Sequence, residues 1–422
     1  MSRLTDFTQL KQNHAETLSW LAGQQSEMER LVIKWAEVNS GSGNLDGLLA
    51  MEDLIIKFDD DFHDGFSTKP LEPETRVGKD GQPFVLEPRR SLYFNNGIQS
   101  SRKVLMTGHT DTVFPKSSAF QTVKKLSNGQ FNGPGVTDMK GGILVMLFAL
   151  MGLRKAGLMD RVTIEMLLSP DEETGSIGSA PLLAEHARQA DIGLTYEPAL
   201  ADGTLAGARK GSGNYHLVVK GKAAHAGREF FVGKNAVVKL AQITADLAAL
   251  TNARPNMTLN AAVVEGGVAP NIVPDLAMLK FNIRLDQEND AEFAQAAIDN
   301  VLKAHQEDGF EISLFGGINR PPKNISAVNK LLMDRVADLG SALDLDIRYV
   351  PTGGCCEGNN LAAEGLPNID TLGVRGGNIH SEDEFLCPES LSERARLSFL
   401  ILAGIAEGQF DDIIEQRGRT AA

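Results

Sequence analysis

Apolar positions recur along this chain in two rhythms, and the change between them marks its organisation. Residues 4–40 carry apolar side chains at helical spacing (Leu18, Leu21, then Met28, Leu31, Val32, Trp35), which predicts two helices ending at Asn39-Ser40-Gly41-Ser42-Gly43. Residues 48–58 continue as an amphipathic helix, while 68–90, dense in proline and charge, read as loop or irregular strand. From Ser91 short apolar runs alternate with helical stretches, predicting strands over 92–94, 104–106, 162–168 and 192–196 and helices over 141–156 and 177–189. That alternation predicts an α/β domain, a mixed but largely parallel sheet with helices on both faces, in which sites gather at the carboxyl ends of strands.

The rhythm shifts at Ala208-Arg209-Lys210-Gly211. A strand over 215–220, a helix over 235–250, strands over 258–264 and 276–285, a helix over 290–305 and a strand over 310–315 follow. This β-α-β-β-α-β order is the ferredoxin-like arrangement. It starts and finishes inside the chain, so residues 209–319 read as an insertion into a discontinuous domain made of 1–208 and 320–422. Arg320-Pro321-Pro322 marks the return, and a helix over 327–339, strands over 346–350 and 369–374 and a helix over 389–407 complete the first domain.

Composition narrows the classes. At 422 residues two cores are the natural expectation. The balance of 41 basic against 55 acidic residues, a formal charge of −14, argues against nucleic acid or an anionic membrane surface as partner. The longest apolar run, 143–153, is far short of the roughly 20 residues a membrane span needs, and the first twenty residues lack a signal-type apolar segment. The cysteines are three, Cys355, Cys356 and Cys387, which disfavours a disulfide framework and suits a reducing compartment; a cytoplasmic protein is the expectation.

The chemistry concentrates where apolar runs stop. The 104–106 strand breaks at Gly108-His109-Thr110-Asp111, and Gly133-Pro134-Gly135-Val136-Thr137-Asp138 sets a lone carboxylate in glycine-rich backbone before an apolar helix. Core packing explains neither, so His109 and Asp138 are candidate metal ligands. Ser169-Pro170-Asp171-Glu172-Glu173 and Glu197-Pro198 follow two further strands, His380 follows Gly376-Gly377-Asn378-Ile379, and His225 lies in Ala223-Ala224-His225-Ala226-Gly227 of the insertion. One histidine at a strand end is more often structural than not; the coincidence of several such stops is what outweighs that reading. Asp171 reads as turn chemistry, and Gly141-Gly142 as close packing of a helix on the sheet. Imidazoles and carboxylates without thiolate suit zinc, and also cobalt or manganese. The donors exceed one catalytic ion's set, and two ions sharing a carboxylate would use them all.

In order and spacing, GHTDTV, GPGVTDMKGG, SPDEETGS, YEP, GKAAHAG and IHSEDE resemble the co-catalytic di-zinc amidohydrolases, the family of glutamate carboxypeptidase, acetylornithine deacetylase, succinyl-diaminopimelate desuccinylase and the aminoacylases. The resemblance spans nearly the whole chain and implies a zinc-exopeptidase-like fold whose insertion is a dimerisation domain. It implies that Asp138 bridges two metals, that His109 and His380 each ligate one, and that Glu173 and Glu197 complete the two sets. Glu172 would be the general base, Asp111 would fix the tautomer of His109, and His225 would reach a neighbouring subunit's site to stabilise an oxyanion. Arg284 and Asn271 match positions that hold a substrate carboxylate, and a cis peptide is implied at Asp138-Met139. Gly353-Gly354-Cys355-Cys356-Glu357-Gly358-Asn359 departs from the relatives' Gly-Gly-x-Ser-Asp-Gly-Asn in a loop near the substrate, where Gly354 is a binding candidate; Arg375 is a further carboxylate candidate. The function implied is a homodimeric two-metal hydrolase acting on a peptide or N-acyl amino acid with a free carboxylate, glutamate-carboxypeptidase-like, with N-acyl-amino-acid deacylase as the alternative. A scaffold that has lost catalysis and a one-zinc aminopeptidase-type enzyme are the remaining readings.

Overall fold

The computed structural model describes residues 2–87 and 89–420. Its main sheet has six strands in the order Phe66–Pro70, Arg90–Asn95, Thr163–Ser169, Lys103–His109, Ile192–Thr195 and Asn368–Ile369. The first two junctions are antiparallel and the other three parallel, so Arg90–Asn95 alone runs against the rest of this sheet. Alternation along the strands feeds two layers. Val104, Met106, Ile164 and Met166 pack with the helices Gly141–Lys155 and Ser390–Ala406. Leu105 and Leu167 point the other way, onto Leu183 and Ala187 of the helix Ala180–Gln189 and Leu361 of the helix Glu357–Ala363. A sheet covered on both faces has no solvated side, which is why its strands read as continuous apolar runs. The segment Val136–Lys155 is long and apolar enough to cross a membrane by composition, yet it is almost entirely buried between the sheet and its neighbours.

The second unit is a four-stranded sheet ordered Thr258–Gly266, Leu276–Leu285, Gly211–Lys220, Glu311–Arg320, with every neighbour antiparallel. This is the ferredoxin-like order. The helices Ala236–Ala248 and Asp290–Ala304 cover one face, and Leu217, Leu240, Ile243, Leu279 and Ile298 make a core separate from that of the first sheet. Thr258–Gly266 is one edge of the sheet and is exposed along most of its length.

Several elements differ from the sequence reading. The amino-terminal region forms three helices, Ser2–Asn13, Ala15–Gly23 and Gln25–Ala36. The 68–90 stretch yields a hairpin, Thr75–Val77 with Pro83–Val85. The strand expected over 369–374 stops at Ile369, because Asp370 turns inward onto two cations, and resumes in a second sheet as Arg375–Gly377. Part of the presumed Gly-rich loop is the helix Glu357–Ala363. Cys356 caps it, its sulfur accepting from Gly358 N and its N–H donating to Asn359 Oδ1.

Candidate metal centre

Register brings the strand-end residues together. His109 pairs with Ser169 across parallel strands and Thr107 with Thr195, so His109, the Glu172–Glu173 turn and Glu197 leave the sheet along one edge. Gly142 lets the next helix sit against this edge, since a Cβ there would strike the Tyr196 carbonyl. Asp138 arrives in the turn Val136–Lys140, with a cis peptide to Met139. The turn is held from outside: the buried Glu384 carboxylate accepts the N–H groups of Gly135 (3.0 Å), Thr137 (2.9 Å) and Asp138 (3.1 Å).

The two oxygens of Asp138 face different histidines. Oδ1 lies 3.1 Å from His109 Nε2, which is also 3.6 Å from Glu197 Oε1. Oδ2 lies 3.3 Å from His380 Nε2, itself 3.1 Å from Glu173 Oε2. Two sets of donors thus share one carboxylate. Ligand atoms of His109, Glu172 and Glu197, and of His109, Asp138 and Glu173, each lie within 4.8 Å of one another.

Electrostatics shows a cluster short of positive charge. Burial, then Glu172 and Asp138, push Glu197 well above the usual carboxyl range; burial and Asp138 push Glu173 to about 8. Hydrogen bonds to Asp138 and Glu173 hold the His380 proton up to about 11. For His109 burial favours the neutral ring, but Asp111 and Asp138 outweigh it and raise its pKa well above the ordinary value. Glu197 Oε1 is buried with no hydrogen-bond partner. Orphaned oxygen, crowded carboxylates and two imidazoles form a donor set that suits two divalent cations.

The remaining expected residues fall into three groups. Asp111 is buried beside His109, but the closer ring contact, 2.9 Å from Nδ1, is to the Asp111 backbone carbonyl; its carboxylate stands at 3.4 Å. That carboxylate also accepts from Ser42 Oγ and from the N–H groups of Glu172 and Glu173, so it fixes the Glu172–Glu173 turn as well as the ring. Arg284 and Gly354 lie at the Cys355 loop, with Arg284 Nη1 donating to Cys355 Sγ at 3.2 Å and the Gly354 carbonyl accepting from Arg209 Nη1 at 3.3 Å. His225 and Asn271 sit together on the surface of the second unit, beside a two-residue antiparallel ladder of Ala224–His225 with Ile272–Val273, and His225 bonds none of the candidate ligands of its own chain. Arg375, expected to hold a substrate carboxylate, is spent on Glu389 (2.8 Å) and Glu393 (3.3 Å), two acids of the helix that follows it.

Two groups have no counterpart in the sequence reading. Arg320 bonds Glu172 Oε1 at 2.8 Å, and also its backbone carbonyl and Ser176 Oγ. Asp370, fully buried, accepts from Arg209 and from Lys323.

This donor set on this fold defines a metal-dependent hydrolase. The profile of Peptidase family M20/M25/M40 matches residues 105–403, and the chain belongs to that family of metal-dependent amidohydrolases and peptidases. It is 29% identical over 316 residues to carboxypeptidase G2 of Pseudomonas sp. (strain RS-16), covering 72% of this chain and 75% of that one. It is 26% identical over 324 residues to a probable succinyl-diaminopimelate desuccinylase of Staphylococcus aureus (strain MRSA252), covering 67% and 78%. Among solved structures it is similar to an M20 family metallo-carboxypeptidase of Sulfolobus solfataricus, with TM-score 0.67 and 16% identity over 90% of this chain and 99% of that one.

Proposed function

We propose that the chain cleaves an amide bond whose amine product is an amino acid or similar carboxylate, in the manner of a glutamate carboxypeptidase, with Glu172 as general base. The observation that carries this reading is Asp138, one oxygen on each donor set, with the Glu172 carboxyl beside the group it would serve. Two bound divalent ions, zinc by donor chemistry and cobalt or manganese as alternatives, would activate a water and polarise the acyl oxygen. Within the protein, Asp111 anchors the Glu172 and Glu173 N–H groups and Arg320 engages Oε1, leaving Oε2 to take a proton from water and pass it to the leaving amine. Arg284, whose guanidinium meets the Cys355 thiol, would receive the substrate's free carboxylate together with Asn271.

Residues 209–319 would act as a dimerisation and lid domain. The exposed edge strand Thr258–Gly266, bearing Val263 (42% exposed) and Val264 (61%), offers unpaired backbone to a second copy. A dimer would also give the exposed His225 a site to serve, the partner's. The three cysteines are free, which suits a cytoplasmic location. N-acyl-amino-acid deacylation is the second reading, favoured by the similarity to desuccinylases. A hydrolysis screen over dipeptides and N-acyl amino acids ending in Glu, Asp, Ala or Lys, run with zinc, cobalt and manganese, separates the two. Absence of turnover with two ions bound per chain would reject both.

A further inference from the structure

A cavity of about 390 Å³ lies between the two units and shares no lining residue with the space in front of Asp138, Glu172 and His380. Its walls are 74–77, Thr174 and Ile177 from the first unit and one face of the inserted sheet from the second. Alternation places Tyr215 and Leu217 in the core under the helices, so Asn214, His216 and Val218 emerge on the opposite face. Register then sets Lys280, His216 and Phe315 side by side across three strands. Two contacts between the units bracket this row. At one end Gly81, in the hairpin of the first unit, packs on Val218 and Leu276; at the other Gly175 packs on Asn214 and Asn319.

Three nitrogens in these walls have nothing to bond among the described residues. Asn214 Oδ1 accepts from Asn282 Nδ2 at 2.7 Å, which fixes the amide and leaves its own Nδ2 unspent beside Gly175. His216 Nε2 is buried without a hydrogen-bond partner. Burial, then Lys280, holds this ring below its ordinary pKa, so at pH 7 it is neutral and able to carry its one hydrogen on that nitrogen. Lys280 forms no ion pair among the described residues, and Glu265, which acts on His216 through space, bonds neither of them. Arg76 is held by Glu74 at 2.6 and 3.2 Å, so those two charges cancel and Lys280 leaves the lining with one net positive charge. That is the reverse of the chain as a whole, whose formal charge is −14. Phe315, Ile177 and Val77 supply apolar surface beside the donors. The volume lies within the range of about 300–1,000 Å³ typical of small-molecule sites. An anion with a flat apolar body would satisfy the donors and the walls together.

We propose that this cavity is a second ligand site, for a monoanionic organic acid with a flat apolar body, and that its occupant clasps the inserted unit to the first. Binding here does not depend on hydrolysis, because none of the candidate metal ligands lines the cavity.

Benzenesulfonate, a flat monoanion and a poor metal ligand, is the probe, titrated calorimetrically into the zinc-loaded protein at low salt. A Kd of about 5 mM or tighter is expected. Lys280→Glu, at an exposed position, should weaken binding at least about ten-fold without lowering the unfolding midpoint, and Asn214→Ala should act in the same direction. Benzyl alcohol, neutral and of similar shape, should bind at least about ten-fold more weakly than the anion. With the probe saturating, amide hydrogen exchange should slow at 74–77 and at 213–216, one segment from each unit. A Kd above about 5 mM, or equal binding by Lys280→Glu, would overturn the site. So would binding that survives Lys280→Glu and disappears in Arg284→Ala, which would seat the anion where the substrate carboxylate belongs. Slowed exchange confined to one unit would overturn the clasp.

Discussion

Asp370→Asn is the substitution whose consequence is best defined by the structure. Asp370 is fully buried and accepts from Arg209 Nε at 2.9 Å, Arg209 Nη2 at 3.1 Å and Lys323 Nζ at 2.7 Å; Arg209 is 9% exposed and Lys323 1%. Asparagine keeps the shape, removes the charge and turns an NH2 group toward two cations. Removing one partner of a buried pair leaves its counter-charge uncompensated and costs about 3–5 kcal/mol. At about 1.5 °C per kcal/mol for a unit of roughly 300 residues, the unfolding midpoint of the first unit should fall by about 5–8 °C. The effect has a pH signature. Burial alone would raise the Asp370 pKa, but Arg209 and Lys323 outweigh it and hold it below the ordinary 3.8. A depressed carboxyl stabilises fully above its unfolded value and loses that contribution only as pH falls through the folded value. The gap between wild type and variant should therefore be flat from neutrality down to about pH 5 and close only on further acidification. Differential scanning calorimetry at several pH values measures both. A variant within about 2 °C of wild type at pH 7 would refute the claim that the Asp370 charge holds Arg209 and Lys323 in place. Replacing Arg209, Asp370 and Lys323 together with apolar residues should recover most of the loss, because no orphaned charge remains.

Three further outcomes follow from the site and the edge strand. Glu172→Gln should lower kcat by about 10²–10⁴-fold with metal content unchanged by elemental analysis, and wild-type turnover would eliminate its role as base. Asp138→Ala should lose both ions after brief chelation and dialysis, whereas His380→Ala should retain one; equal stoichiometry in the two variants would contradict a shared carboxylate. Val264→Lys places a charge on the exposed edge and should give monomers by analytical ultracentrifugation together with loss of activity. A fully active monomer would show that His225 is not needed from a partner.

What was legible in the sequence and what was not separate along a physical line. His109, Asp138, Glu173, Glu197 and His380 each stand near a glycine or proline break beside an apolar run, so a one-dimensional pattern marks them. The ferredoxin-like order was legible because its six elements are long and strongly periodic. Arg320 and Asp370 were not, since their meaning lies in pairing with Glu172, 148 residues away, and Arg209, 161 residues away. Arg320 was taken for a boundary marker because Pro321-Pro322 dominates its surroundings. Glu384 stood in the IHSEDE motif without a role, because accepting backbone N–H groups from the Asp138 turn leaves no trace in spacing. The helix Glu357–Ala363 is seven residues long, too short to show a period. Asp111 was legible as the neighbour of the His109 ring, but spacing cannot say that its backbone carbonyl comes closer to Nδ1 than its carboxylate does.

The placement of Arg320 constrains how the two units can move. It is the last residue of the last strand of the inserted sheet, yet its guanidinium holds Glu172 and Ser176 in the other unit. Three residues on, Lys323 exchanges backbone hydrogen bonds in both directions with Arg209, which ties the two crossing strands together on the catalytic side. Any rotation of the insert that keeps Arg320 on Glu172 must pivot within the insert, beyond Arg320 and its ladder partner Ser212. A pivot farther into the insert would leave Arg320 in place; one nearer the catalytic sheet would drag it off Glu172. Arg320 thus belongs to the fixed side of such a pivot, and opening the cleft need not disturb Glu172.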